Sequence, residues 1–381
     1  MLTEEQATIR EMARVFAARE IRPHAEEWER AGGFPRAVIG QLAELGFLGM
    51  LIPEEFDGLG LDEASYLIAL EQIAWGDASV AVAMSVHNSL PTQMLLAHGS
   101  DEQKERWLKP LARGEILGAF ALSEADSGSD AASIIAQAKR VDGGWQLNGT
   151  KAWITNGGFA DVVIVMCRTD EPGDRRGAGG IGAFIIPTDS EGYRIGRKED
   201  KMGQRASETV SVSMENLFVP DAQLLGPPDR GLFIALDGLA HGRMGIAAVA
   251  LGIAQAGLDH ALAYAAERVQ FGQAIREFEG MKFKLADMAT RVEAARALLH
   301  TAGEARDAAG KPVLRLSSMA KLFASETAAF VTTQAVQVFG GYGYMKEYPV
   351  ERLFRDAKVT EIYEGTSEIQ RLVIARELYR Q

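Results

Sequence analysis

From Gly231 to Gln381 the sequence contains only two prolines, Pro312 and Pro349. Proline removes a backbone donor and clashes with the preceding helical turn, so a stretch this poor in it is free to form long helices. Ala/Leu-rich runs over about 230–270, 278–309 and 313–338 predict three of them. Shorter helices are predicted after residue 350 and after residue 366, enough for a four-helix bundle. The N-terminal region also reads as helical. Thr3 and Gln6 resemble a capping box ahead of Ile9, Met12 and Phe16 on one face. A break at Gly32-Gly33-Phe34-Pro35 precedes a helix over 35–45, and the Pro- and Gly-containing segment 52–60 reads as a loop. Helical patterns resume over 62–75 and 80–98, with Ser100 and Gln103 offering another start.

Between these regions the texture differs. Asp142-Gly143-Gly144 and Asn148-Gly149 are hairpin signals between strand-like runs. The segments DVVIVMCR and IGAFIIP are short, apolar and β-branched, and Thr209–Met214 alternates as a half-buried strand does. The expected fold class is therefore multidomain α and β. It comprises an N-terminal helical domain (1–117), a middle antiparallel β-domain (118–226) and a C-terminal four-helix bundle (227–381). The order is not the β-α alternation of a dinucleotide-binding fold.

A length of 381 residues exceeds what one core usually serves. The formal net charge of −12 argues against a nucleic-acid partner, which needs a basic face, yet allows a local pocket for one anion. Cys167 is the only cysteine, so no intrachain disulfide forms and a reducing, cytoplasmic location is expected. The opening MLTEEQATIREMARVF lacks the cationic and apolar blocks of a secretory signal. No apolar run reaching the roughly 18 residues of a membrane span is expected. The six histidines show no metal-ligand grouping.

Six segments bear on chemistry. Gly177–Gly182 matches GxGxxG, but a charged run (EPGDRR) precedes it and a strand follows, so it reads as a loop. Phe120–Asp130 is rich in hydroxyls and glycine and suits either a ligand contact or a polar connection. In Lys151–Gly158, Trp153 packs in a core or stacks on a planar ligand, with core packing favoured from the residues alone. Arg268-Val-Gln-Phe-Gly272 ends a long helix, where the arginine caps the helix or meets a phosphate. The glycines of Gln337–Gly343 end another helix and permit close backbone approach. Ile362–Gln370 contains a Ser367–Gln370 capping box, so a helix N-terminus that suits an anion begins near Thr366, with Glu364 just before it. Read alone, Glu364 is either an acid favourable to the helix dipole or a catalytic base.

Taken together, YEGTSEIQ, KAWITNGG and QVFGGYGY, in this order and spacing, resemble the acyl-CoA dehydrogenase family over essentially the whole chain. The resemblance implies an N-terminal helical domain, a middle β-barrel and a C-terminal four-helix bundle, assembled as a homotetramer. It implies FAD between the β-domain and the bundle, partly held by a neighbouring subunit. By position, Phe120, Leu122, Ser123, Trp153, Ile154 and Thr155 would meet the flavin, with Thr155 near N5. Arg268, Gln270 and Phe271 would hold the pyrophosphate region, and Gln337, Gly340, Gly341, Thr366 and Glu368 would line the same cofactor. Ser129, Arg243 and Gly365 match positions that contact acyl-CoA. Glu364 matches the α-proton base of the short- and medium-chain branches, with hydride passing to flavin N5. Its N–H and a ribityl hydroxyl would polarise the thioester carbonyl. Other relatives carry the base beside Arg243, where this chain has Gly242. An electron-transferring flavoprotein is the implied acceptor.

Ala125 and Asp126 depart from the Pro-Gly usual after the loop glutamate, and Ala240 replaces an aspartate common three residues before Arg243. GLxxGR, KLFAS and GGYGY lean toward short branched-chain, isobutyryl-like members, and Ser79–Leu90 holds no arginine to clamp a glutaryl carboxylate. Two readings stand beside the dehydrogenase: an acyl-CoA oxidase or flavin monooxygenase on the same scaffold, and a non-catalytic acyl-CoA-binding protein.

Overall fold

The computed structural model describes residues 2–170 and 177–380; the charged run 171–176 lies outside the described residues. The N-terminal helices are α1 Glu4–Phe16, α2 Ala25–Ala31, α3 Ala37–Glu44, α4 Glu63–Gly76, α5 Ala78–Ser89, α6 Pro91–His98, α7 Asp101–Gln103 and α8 Lys109–Ala112. Local chemistry sets their starts. Thr3 Oγ1 accepts from Gln6 N–H at 3.1 Å while the Gln6 side chain accepts from Thr3 N–H at 3.2 Å, and Ser100 and Gln103 repeat the arrangement. Asp77 caps α5 by accepting from Ser79 and Val80. The single helical run expected over 80–98 is two helices, because Pro91 has no N–H to continue the ladder and instead opens α6.

Strands β1 Gly118–Ala121, β2 Gln137–Val141, β3 Gly144–Thr155, β4 Val162–Arg168, β5 Ile181–Pro187, β6 Tyr193–Lys198, β7 Thr209–Pro220 and β8 Leu224–Leu225 form one sheet, ordered β6-β7-β3-β2-β4-β5-β8 with β1 on β4. Most neighbours are antiparallel, but β4 pairs parallel with β1 and β2, and among the described residues the pairing path has two ends instead of closing. Asp142-Gly143 makes the expected two-residue turn, with Gly143 at φ +73°. Asn148-Gly149 is not a turn. It is a bulge inside β3, where Gly149 adopts φ +144° and a Cβ would press on Ala136 at 2.6 Å.

β4 explains why its sequence shows no polar alternation. Val163, Val165 and Cys167 face the β-domain's own core, whereas Val162, Ile164 and Met166 face a second cluster shared with α5, α6 and α9. Buried on both faces, the strand is apolar from Val162 to Cys167, and its one charged residue, Arg168 at the end, is buried against Asp170.

The C-terminal part comprises α9 Gly231–Glu267, the small hairpin β9 Val269–Gln270 and β10 Gln273–Ala274, then α10 Glu279–Ala309, α11 Leu314–Phe339, α12 Pro349–Val359 and α13 Ser367–Leu378. α9 is the axis of the molecule, packed by α4, α5, α10 and α11. One apolar core runs from Ile9 of α1 to Ala357 of α12, so the first and last thirds of the chain bury their faces against each other. By length and composition α9 would span a membrane, contrary to expectation, but 72% of its most apolar window is buried inside the fold. Its apolarity is that of a central core helix.

Candidate active site

Glu364 lies in the loop between α12 and α13 at φ +53°, followed by Gly365 at φ +95°. A non-glycine residue in the left-handed region is disfavoured and persists only where its surroundings hold it. Three observations show what holds it. Gln370 Nε2 donates to the carbonyls of Gly365 (2.9 Å) and Glu364 (3.3 Å). Lys321 Nζ, from α11, donates to the same Gly365 carbonyl at 2.8 Å. Tyr363 OH meets Gln204 Nε2 at 3.1 Å, and Gln204 in turn binds Asp356 of α12.

The helix after this loop is capped by Thr366, whose Oγ1 accepts from Ile369 N–H at 3.3 Å. The expected Ser367–Gln370 box does not form, because the Gln370 side chain is turned back onto the Glu364-Gly365 turn.

Glu364 Oε2 is shut off from solvent and has no hydrogen-bond partner among the described residues. Burial pushes its carboxyl up to about 7, against the pull of Lys321 and Arg243. Arg243 on α9 is buried with its Nε unpartnered, and burial lowers its pKa. Gly238, Gly242 and Gly245, at helical spacing on α9, face Met94, Glu364 and Ser85. A Cβ on Gly242 would fall on Glu364 Oε2. Gly242 therefore makes room for the carboxylate that occupies this face of α9.

A second group sits on the β-domain. Ala152 N–H donates to the Ser123 carbonyl at 2.9 Å, drawing Phe120, Leu122 and Ser123 beside Trp153, Ile154 and Thr155. Lys151, wholly buried, fixes that junction by donating to the Leu122 carbonyl (3.0 Å) and to Glu124 Oε1 (2.7 Å). Glu124 Oε1 also accepts from Ala136 N–H, and its Oε2 accepts from Ile135 N–H. Trp153 is not a core residue. A register shift between Lys151 and Ile154 puts it at φ +61° with 56% of its surface exposed, while Ile154 turns inward. Tyr363 packs against the same apolar cluster that holds Phe120 and Leu122, which joins this group to the Glu364 loop. Ser129 is exposed on the adjoining loop, as are Ala125 and Asp126.

A third group lines a groove of about 730 Å³ at the ends of α9 and α11. It contains Arg268, Gln270, Phe271, Gly340 and Gly341. The Arg268 guanidinium lies over the Tyr342 ring at 5.5 Å, and Phe271, at the tip of the β9–β10 hairpin, is 95% exposed. Gln337 is one turn away on α11, its carbonyl accepting from Gly340 N–H. None of the β-domain residues above lines this groove. Glu368 is exposed in the first turn of α13.

Sequence reasoning missed Lys321, Gln204 and the Lys151–Glu124 pair, and assigned Gln370 to a helix cap instead of the Glu364-Gly365 turn. The available signal for Lys321 was a lysine inside the apolar, Ala-rich run Met319–Ala324.

Three family models cover nearly all of the chain: "Acyl-CoA dehydrogenase, N-terminal domain" over 3–115, "middle domain" over 119–217 and "C-terminal domain" over 229–379. An acyl-CoA dehydrogenase of Bacillus subtilis is 48% identical over 99% of this chain and 98% of its own. The mitochondrial short-chain specific acyl-CoA dehydrogenase of Rattus norvegicus is 46% identical over 100% of this chain and 91% of its own. Among solved structures, butyryl-CoA dehydrogenase from Megasphaera elsdenii superposes with a TM-score of 0.97 at 41% identity, covering 100% of this chain and 99% of that one.

Proposed function

Because the chain belongs to the acyl-CoA dehydrogenase family, whose members carry out FAD-dependent dehydrogenation of acyl-CoA thioesters, we propose that Glu364 is its α-proton base and a short acyl-CoA its substrate. The observation that carries this reading is Glu364 Oε2, a buried carboxylate oxygen with no partner, held in a left-handed turn between two cations.

The roles follow from the surroundings. An α-C–H beside a thioester is a weak acid, so the base must be ionised, desolvated and aimed. Burial supplies the desolvation, while Arg243 and Lys321 keep the carboxylate ionisable near neutrality. Among the described residues the Glu364 N–H has no acceptor, which leaves it free to donate to the thioester carbonyl as negative charge develops there. The proton moves from the α-carbon to the Glu364 carboxylate. Bound FAD supplies the hydride acceptor that no side chain of this chain provides.

The residues present fit that cofactor. Trp153 offers an exposed ring beside Thr155, Ser123 and Leu122. The Arg268 groove, with the bare backbone of Gly340 and Gly341, suits a pyrophosphate. Thr366 and Glu368 complete the flavin side, and Ser129, Arg243 and Gly365 the acyl-CoA side. The two cofactor groups line separate surfaces of one chain, which supports a homotetramer in which the groove of one subunit completes the site of its neighbour. An electron-transferring flavoprotein is the acceptor. The three units 1–117, 118–226 and 227–381 act together in the cytoplasm, where the single, buried Cys167 stays reduced.

The test is anaerobic mixing of the purified holoenzyme with butyryl-, isobutyryl- and octanoyl-CoA, scored by flavin bleaching. Fast bleaching by the four-carbon esters supports the reading. Bleaching only by octanoyl-CoA overturns the short-chain assignment, and peroxide formed in air at the turnover rate replaces dehydrogenase with oxidase.

A further inference from the structure

Lys321 is 0% exposed on α11, inside the helical core and behind the Glu364 loop. An ammonium group in such a place carries a large desolvation cost, and an apolar side chain of similar length would fill the volume without it. Its Nζ has three protons and, among the described residues, makes one hydrogen bond, to the Gly365 carbonyl at 2.8 Å. Gln370 already serves that carbonyl at 2.9 Å, so closing the turn does not by itself account for a lysine.

The charges around it do account for one. Lys321 faces Glu361 and Glu364 of the loop, Glu368 in the first turn of α13, and Arg243 of α9. Glu364 faces Lys321 and Arg243, with Tyr66 of α4 and Tyr363 within its field. Arg243 is itself flanked by Arg376 of α13. Burial brings Lys321 down to about 8, so it still carries its charge at neutral pH.

We propose that Lys321 is a positioning residue of the reaction, whose buried charge keeps Glu364 ionised and whose hydrogen bond holds the Glu364-Gly365 turn. The proposal rests on Glu364 being the base. It assigns two separable duties to one side chain: the charge sets the pH at which the base works, and the hydrogen bond sets where its backbone N–H and carboxylate point.

The test separates them with two variants. Lys321→Gln removes the charge and retains a donor for the Gly365 carbonyl, and Lys321→Arg retains the charge. The readout is the pH dependence of kcat/KM with butyryl-CoA for the FAD-loaded enzymes. Loss of a nearby cation raises a carboxyl pKa, so the acid limb of Lys321→Gln should move up by about one pH unit. At pH 9 its rate should recover to within several-fold of the parent. Lys321→Arg should keep the parent's acid limb even where its rate is lower. An unmoved acid limb in Lys321→Gln, or failure of both variants to retain FAD, overturns the proposal and leaves Lys321 a packing residue. The base assignment is checked separately by Glu364→Gln in the parent background, where retained turnover would remove the premise.

Discussion

Gly242 and Glu364, 122 residues apart in sequence, compete for one small volume: a Cβ on Gly242 would lie 2.0 Å from Glu364 Oε2. The family resemblance offers two positions for the base, the α12–α13 loop and the residue beside Arg243. In this chain the two positions meet at the same point in space. Glycine at 242 is therefore a requirement of having the base on the loop. Gly242→Ala should retain FAD and fold, yet displace the carboxylate by about an ångström and lower kcat on the order of 10²-fold. Turnover of the FAD-loaded variant near that of the parent would show that the carboxylate is not held where α9 places it.

With Glu364 as the proposed base, its raised carboxyl sets the pH dependence expected of the reaction. With its pKa pushed up to about 7 in the free enzyme, the ionised fraction grows tenfold per pH unit below that value and levels off above it. A pH series of kcat/KM with butyryl-CoA should therefore rise with unit slope to about pH 7 and then flatten. A profile already flat from pH 5 would contradict a buried base.

The same shift works against the fold. A carboxyl whose folded pKa exceeds its unfolded value binds its proton more tightly in the native state. Stability then falls as pH rises through the window from about 4.5 to about 7. Glu364→Gln removes that penalty. It should melt at a higher temperature than the parent at pH 8, by an amount equivalent to roughly 3 kcal/mol, and near the parent's temperature at pH 4.5. Calorimetry at the two pH values decides the matter, and equal melting temperatures at pH 8 would count against it.

The β-domain junction rests on one buried ion pair. Lys151→Met leaves the Glu124 carboxylate without its cation and should cost about 3–5 kcal/mol, measured by urea unfolding. Trp153→Ala should behave in the opposite way. The ring is exposed, so stability should change by only about 0.5 kcal/mol while FAD is lost on gel filtration. Equal FAD retention by Trp153→Ala and the parent would remove Trp153 from the cofactor site.

Much of the fold was legible in the sequence because its signals are local. Proline scarcity announced α9, α10 and α11, and Asp142-Gly143 announced a turn. Pro91 and Asn148-Gly149 misled where a local signal had two structural solutions, a helix break against a continued helix and a bulge against a turn. In the site, the loop that carries Glu364, which is proposed as the base, was legible through its motif. Lys321, Gln204 and Glu124 were not, because each acts on a residue 27 or more positions away, and only the packing of α11, the sheet and α12 brings them together. The core placement that the residues alone favoured for Trp153 failed for a related reason, since the bulge that turns it outward depends on the register with β7.

The most direct test of the whole account is a single-turnover comparison of Glu364→Gln with the parent, both saturated with FAD, mixed anaerobically with butyryl-CoA. The variant should keep its yellow flavin and bleach roughly 10²-fold or more slowly, as removal of the proton base requires. Bleaching at close to the parent's rate would contradict it, and the proton would have to leave by another group.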